Sequence, residues 1–206
     1  MNKHISTNNY IPKMRFSEFH DKWNACSVFE MMDRVVDPVL VNKEETYREI
    51  GIRSHGKGIF HKTPVKGEDL GSKRVYWIKE NVFALNIVFA WEQAIAITTE
   101  KEKGMIASHR FPMYSPKENK LDLNFILNFF SRSRGKYMLE LASPGGAGRN
   151  KTLGQKSFNE LRLIVPKIEE QKKISLFFKH IDELLNSYAD KIELTKQYRK
   201  SIIRKI

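Results

Sequence analysis

Cysteine is almost absent from this 206-residue chain, where Cys26 stands alone. A disulfide needs two thiols and a cysteine-based zinc site needs more, so neither forms within the chain, and a reducing, cytoplasmic setting fits. Long apolar runs are missing as well. The opening MNKHISTNNYIPKMRF has no apolar core of signal-peptide length, and nowhere does the chain approach the roughly 18 apolar residues of a membrane span. The six histidines show no metal-ligand spacing. No Asn/Asp-Pro-Pro-Tyr/Phe methyltransferase motif occurs, and TEKEK (99–103) offers a Glu-x-Lys without a placed aspartate, which reads as a solvated turn. The glycine-rich GGAGRNKTLGQKS lacks Lys-Ser or Lys-Thr at the spacing of a nucleotide-binding loop, leaving a basic surface loop. These absences argue against an enzyme. Negative charge is also scarce: 24 acidic residues face 36 basic ones, a net +12 that suits a polyanionic partner such as nucleic acid.

What is present suffices for a folded core, since 41% of the residues are hydrophobic. Residues 11–23, IPKMRFSEFHDKW, scatter aromatics among charges like an arm that packs on a domain. NACSVFEMMDRVV (24–36) reads as a short helix or strand ending at Asp37-Pro38. Between 46 and 100 the β-branched and aromatic segments YREIGIRS, KGIFHKT, RVYWIK, VFALNIVFAW and QAIAITT predict short strands in a compact, curved sheet. A loop is expected over Ser108 to Pro116. A buried helix broken near Gly135 follows over 120–143.

The stretch LIVPKIEEQKKISLFFKHID (163–182) changes character midway. Pro166 cannot donate to a ladder and closes a strand, whereas Glu169 and Glu170 suit the first turn of a helix through its dipole. Apolar residues then recur at helical spacing. Ile174, Ile181, Tyr188, Thr195 and Ile202 fall seven apart, with Phe177, Phe178, Leu184, Leu185, Ile192 and Tyr198 between them. A helix of this length would reach about 60 Å at ~1.5 Å per residue. That exceeds the roughly 35 Å of a domain built from the preceding residues, so a second helix is needed to cover the stripe. The segment 167–206 carries +4 and residues 1–166 carry +8, so the basic charge is spread over both.

Pro166, Glu170, Gln171, Ile174, Phe178 and Asp182 fit a strand ending in P-x-x-x-E-Q-x-x-I and followed by a helix, and Pro12, Arg15, Phe16, Phe19 and Trp23 form a second signature at the front. Together they resemble the specificity subunit of Type I restriction-modification systems. Lys167 departs from the pattern, where that family usually has a second proline.

The resemblance implies an α+β fold: a β-rich DNA target-recognition domain (1–166), then a long helix (167–206) that pairs as an antiparallel coiled coil. Such subunits normally carry two of each part, and this chain carries one, either as a natural half-subunit or as a piece of a longer protein. The unpaired stripe therefore leads to the expectation of a homodimer. The implied role is nonenzymatic recognition of a bipartite site in double-stranded DNA. Adenine methylation would fall to a modification subunit using S-adenosylmethionine, and translocation and cutting to a restriction subunit using ATP and Mg, with no cofactor in this chain.

Candidate DNA contacts lie in IRSHGKGIFHK (52–62), where Arg53, His55 and Lys57 stand beside glycines that let backbone approach a phosphate. Arg149, Asn150 and Lys151 form a second group, with Arg74, Trp91 and His109 as additions. The competing reading is a helical interaction protein or decoy that occupies the subunit's place without reading DNA. Sequence-dependent DNA binding separates the two.

Overall fold

The computed structural model describes residues 10–145 and 151–203. An extended arm leads into β1 (Asn24–Ser27), one helical turn α1 (Val28–Met31) and β2 (Met32–Val35). The switch is local: the Ser27 hydroxyl accepts from the Glu30 N–H while the Glu30 carboxylate accepts from the Ser27 N–H. The segment 24–36, open between strand and helix in the sequence, is both in succession.

Strands β3 (Thr46–Tyr47), β4 (Ile50–Ile52), β5 (Ile59–His61) and β6 (Val65–Lys66) nest as two antiparallel ladders, β3 with β6 and β4 with β5. A short turn α2 (Gly67–Leu70) precedes β7 (Val75–Trp77), β8 (Phe83–Leu85), β9 (Ile95–Ile97), β10 (Ile106–Ser108) and β11 (Met113–Pro116). The largest sheet is four-stranded and antiparallel in the order β2-β11-β8-β9, and β7 pairs with β10. Helices α3 (Leu123–Phe130), α4 (Ser133–Leu141) and α5 (Gln155–Asn159) follow. Strand β12 (Arg162–Val165) returns to pair with β1, from Asn24 opposite Val165 to Ser27 opposite Arg162. Beyond Pro166, α6 runs from Ile168 to Ile203. The architecture is α+β, a β-rich domain followed by a long terminal helix.

The core lies on both faces of the four-stranded sheet. Successive strand residues point to opposite sides, so Phe83, Leu85 and Tyr114 meet Phe125, Phe130 and Phe158 under the helices. Ala84, Ala96 and Met113 face the other way, against Ile50, Ile52 and Ile78. The rings of Phe83, Tyr114 and Phe130 surround Phe158 with centroids 5.1 to 6.4 Å from it.

Three expectations need correction. The Ser108 to Pro116 stretch is not all loop, because Met113 and Tyr114 pair on both sides as part of a central strand. VFALNIVFAW is a strand only to Leu85, since the Asn86 Oδ1 accepts from the Val88 N–H at 3.1 Å and turns the chain. Finally, among the described residues the strands form five small sheets rather than one curved sheet, because turns interrupt them after two to four residues. The helix over 120–143 is broken near Gly135 as expected, at Ser131–Arg132. Gly135 itself lies where a Cβ would stand 2.2 Å from the Phe129 carbonyl oxygen, so glycine permits the close approach of α3 and α4.

Candidate nucleic-acid interface

Glu170, in the first turn of α6, is only 2% exposed. A carboxylate buried so deeply persists only when paired. The arm supplies the partners: Arg15 Nε and Nη2 donate to the two carboxylate oxygens at 2.8 and 2.7 Å, and Trp23 Nε1 donates to Oε2 at 3.2 Å. The hydrogen bond to Glu170 pushes the Arg15 guanidinium above its ordinary range. Fully buried Gln171 accepts from the Asp122 N–H at 2.9 Å and donates to the carbonyls of Lys120 and Pro166 at 3.1 and 2.9 Å. Phe16 meets Phe177 edge-on at 5.8 Å. Lys167 bonds Asp21 at 2.9 Å, and that bond raises the lysine and lowers the carboxyl relative to their usual ranges. The front and back signatures are thus halves of one clamp that fixes the domain to the root of α6.

The candidate DNA contacts lie elsewhere. His55, Gly56 and Gly58 adopt positive φ (61°, 64° and 74°), which folds residues 53–58 into a tight tip between β4 and β5. The tip is tied down: the N–H groups of His55 and Gly56 donate to the carbonyls of Glu92 and Gln93 at 2.7 and 3.0 Å, and the Ser54 hydroxyl donates to Glu92 Oε2 at 3.0 Å. Opposite Gly51 in the ladder, the Phe60 ring covers the glycine backbone so closely that a Cβ there would stand 2.2 Å from it. The Arg53 guanidinium lies 4.7 Å from the Phe60 centroid and donates to the Ile59 carbonyl at 3.2 Å. Arg53, His55 and Lys57 are all exposed.

The turn that anchors this tip also carries Trp91, and Lys151 Nζ sits 5.2 Å from that ring. Residues 53–57 and Lys151, nearly a hundred positions apart, therefore converge on one support. Arg149 and Asn150 lie outside the described residues. Arg74 and His109 are exposed neighbours at the end of the β7–β10 ladder, where the His109 N–H donates to the Arg74 carbonyl at 3.2 Å. A groove lies alongside, floored by Phe60, Phe89, Phe111 and Asn86 and rimmed by Lys62, Lys73 and Arg110. Of these, Phe89, Phe111, Asn86, Lys73 and Arg110 fall outside every sequence-based candidate, because they come from three separate segments that only the fold assembles.

The family model of the Type I restriction modification DNA specificity domain matches residues 67–196, well over half of the chain. The chain belongs to that family. Two solved structures share its fold. The HsdS subunit from Thermoanaerobacter tengcongensis superposes with a TM-score of 0.66 at 16% identity, over 81% of this chain and 43% of that one. The Type-I restriction-modification system S subunit from M. genitalium does so with a TM-score of 0.53 at 14% identity, over 91% of this chain and 46% of that one. The chain spans under half the length of these two relatives. No curated protein matches it in sequence.

In this specificity domain the apolar stripe of α6 divides in two. Ile174 packs on the core, Phe177 meets the arm, Phe178 lies 4.1 Å beneath the Arg132 guanidinium, and Ile181 is half-buried. Farther on, Leu184, Leu185, Tyr188, Ile192, Tyr198 and Ile202 are each 57% to 63% exposed, so nothing described in this chain covers them. Cys26, in β1, is an unpromising nucleophile because burial pushes its thiol up. Among the described residues no group of three or more His, Cys, Asp or Glu could hold a metal, and no helix is long and apolar enough to cross a membrane.

Proposed function

We propose that this specificity domain reads a short half-site in double-stranded DNA and directs partner subunits to it, taking no catalytic part itself. The observation that carries this reading is the stapled tip at 53–58: a basic, convex element held by three hydrogen bonds to the 92–93 turn and joined there by Lys151. Major-groove base edges lie at the floor of a channel about 8.5 Å deep, which a projecting tip can enter and a flat surface cannot. Lys57, Lys151 and Arg74 suit phosphate contacts that set register, while Arg53 and His55 carry the donors for base edges. Domains 1–166 and 167–206 then divide the work, the first reading DNA and the second setting its spacing.

The same reading assigns adenine methylation with S-adenosylmethionine to a modification subunit, and ATP- and Mg-dependent translocation and cutting to a restriction subunit. The bare stretch of α6 from Leu184 to Ile203 extends about 30 Å at ~1.5 Å per residue. Pairing it with the same stretch of a second copy, antiparallel, buries both stripes and holds two domains at a fixed separation, so that a bipartite target is read symmetrically.

Selection from random duplexes at near-physiological salt, with the chain mixed with its cognate methyltransferase subunit, tests the proposal. Two inverted half-sites with a constant gap are expected, together with a dimer in sedimentation at micromolar concentration. A salt-sensitive pool without a motif would move the decoy reading to the front, and a monomer would remove the paired helices.

A further inference from the structure

A recess on a protein cannot touch the edge of a stacked base. Those edges sit at the bottom of the DNA groove, and only convex elements descend to them. The groove between the β4–β5 hairpin and the segment 108–111 is nonetheless built in a way that phosphate contacts alone do not explain. Its floor is aromatic, with Phe89 37% exposed and Phe60 and Phe111 half-buried, and a single amide, Asn86, is set among the rings. Asn86 is 9% exposed, and its Oδ1 is taken by the Val88 N–H. Among the described residues its Nδ2 donates to no acceptor. Around this floor stand Lys62, Lys73 and Arg110. Glu49 draws both lysines towards itself, at 3.3 and 3.9 Å, which leaves the rim net positive.

An aromatic face, a spare amide donor and a cationic rim are the three elements that hold an unstacked nucleotide. Rings stack on the base, the amide meets an acceptor on its edge, and the cations hold the flanking phosphates. We propose that this groove receives a nucleotide turned out of the bound duplex, with its base stacked on Phe89 and hydrogen-bonded by Asn86 Nδ2, and with adjacent phosphates on Lys62, Lys73 and Arg110. The inference rests on the DNA-recognition reading above and deepens it. The convex tip reads stacked bases, and the neighbouring recess stabilises one base that has left the stack.

The full chain is titrated into fluorescently labelled single-stranded pentathymidylate and, separately, into a labelled duplex carrying the selected half-sites. Phe89→Ala is expected to weaken pentathymidylate binding about tenfold, the low-to-middle range for loss of one base–aromatic stack. Phe89→Tyr, which keeps the ring, is expected to bind like the parent. In heteronuclear NMR spectra the Asn86 side-chain amide should shift when pentathymidylate is added to the unsubstituted chain. Unchanged affinity in Phe89→Ala, or an Asn86 amide that stays still while only rim residues respond, overturns the proposal. Selective, Arg53-dependent duplex binding alongside that result would leave the recognition role intact and remove only the base pocket. Phe89-dependent binding of the single strand by a chain that ignores every duplex would overturn both the recognition reading and the turned-out base.

Discussion

Gln171→Glu replaces one nitrogen with oxygen and should make the stability of this domain depend steeply on pH. In the native structure Gln171 Nε2 donates to two carbonyls, those of Lys120 and Pro166, while Oε1 accepts from the Asp122 N–H. A glutamate there can keep the Asp122 bond, but its second oxygen faces two carbonyl oxygens and is compatible with them only when protonated. The protonated form has one hydrogen for two acceptors, so even in acid about 1 kcal/mol is lost. Burial and the two carbonyl dipoles raise the folded-state pKa above the unfolded value of about 4.3. If the rise is about a thousandfold in acidity, the full penalty is about 4 kcal/mol.

For a raised carboxyl the sign is fixed. Both states are protonated below about pH 4, the unfolded state ionises first, and stability falls as pH rises until the folded carboxyl also titrates near pH 7. Relative to the parent, the variant should lose about 1 kcal/mol more from this effect at pH 5 and about 4 kcal/mol more at pH 8, a difference of about 3 kcal/mol. Urea unfolding followed by tryptophan fluorescence at the two pH values, corrected for the parent's own change, measures it. Gln171→Met removes the same bonds without a titratable group and should destabilise by a similar amount at both pH values. A Gln171→Glu deficit that is equal at pH 5 and pH 8, or larger in acid, would refute the reasoning.

Gly135→Ala should destabilise by roughly 1–3 kcal/mol, because its Cβ would press on the Phe129 carbonyl and force α3 from α4; thermal unfolding reports it as a lower Tm. Glu102 works in the opposite sense to the carboxyl that Gln171→Glu introduces. Burial pushes the Glu102 carboxyl up, but hydrogen bonds from His61 and from Thr99 outweigh this and hold it below its usual range. Its contribution is therefore present above the unfolded pKa and is lost on acidification through the folded one. Glu102→Ala should cost about 2 kcal/mol near neutral pH and progressively less as the pH is lowered below the usual carboxylate range, as measured by chemical denaturation. Arg53→Ala should weaken binding to the selected duplex by roughly 1–3 kcal/mol, read by anisotropy, while the thermal midpoint stays near that of the parent.

The terminal helix was legible because its signals are local and agree with one another. Pro166 ends the ladder, the Glu169-Glu170 pair suits the first turn, and the apolar period continues past Ile174. The family signatures were legible too, although their spacing did not disclose that Arg15 and Glu170, 155 positions apart, touch. The middle was harder for physical reasons. Strand β11 is four residues long and ends at Pro116, so its local composition resembles a loop, and pairing to β2 and β8 makes it a strand. Gly135 correctly marked a special position in the helical stretch, but the glycine serves packing rather than the break. The groove was invisible because Phe60, Asn86, Phe89 and Arg110 have no common period; only the fold puts them on one floor and rim.

The pairing of β1 with β12 places the domain's entry and exit side by side, about 5 Å apart across one antiparallel ladder. Just outside that ladder, Arg15, Trp23, Glu170 and Gln171 fasten the arm to α6, and Asp122, Lys120 and Pro166 join them through hydrogen bonds to Gln171. The reading module is therefore connected like a cassette in a fixed holder. A different insert that enters and leaves at neighbouring points, and presents two backbone groups to Gln171, would meet the same holder.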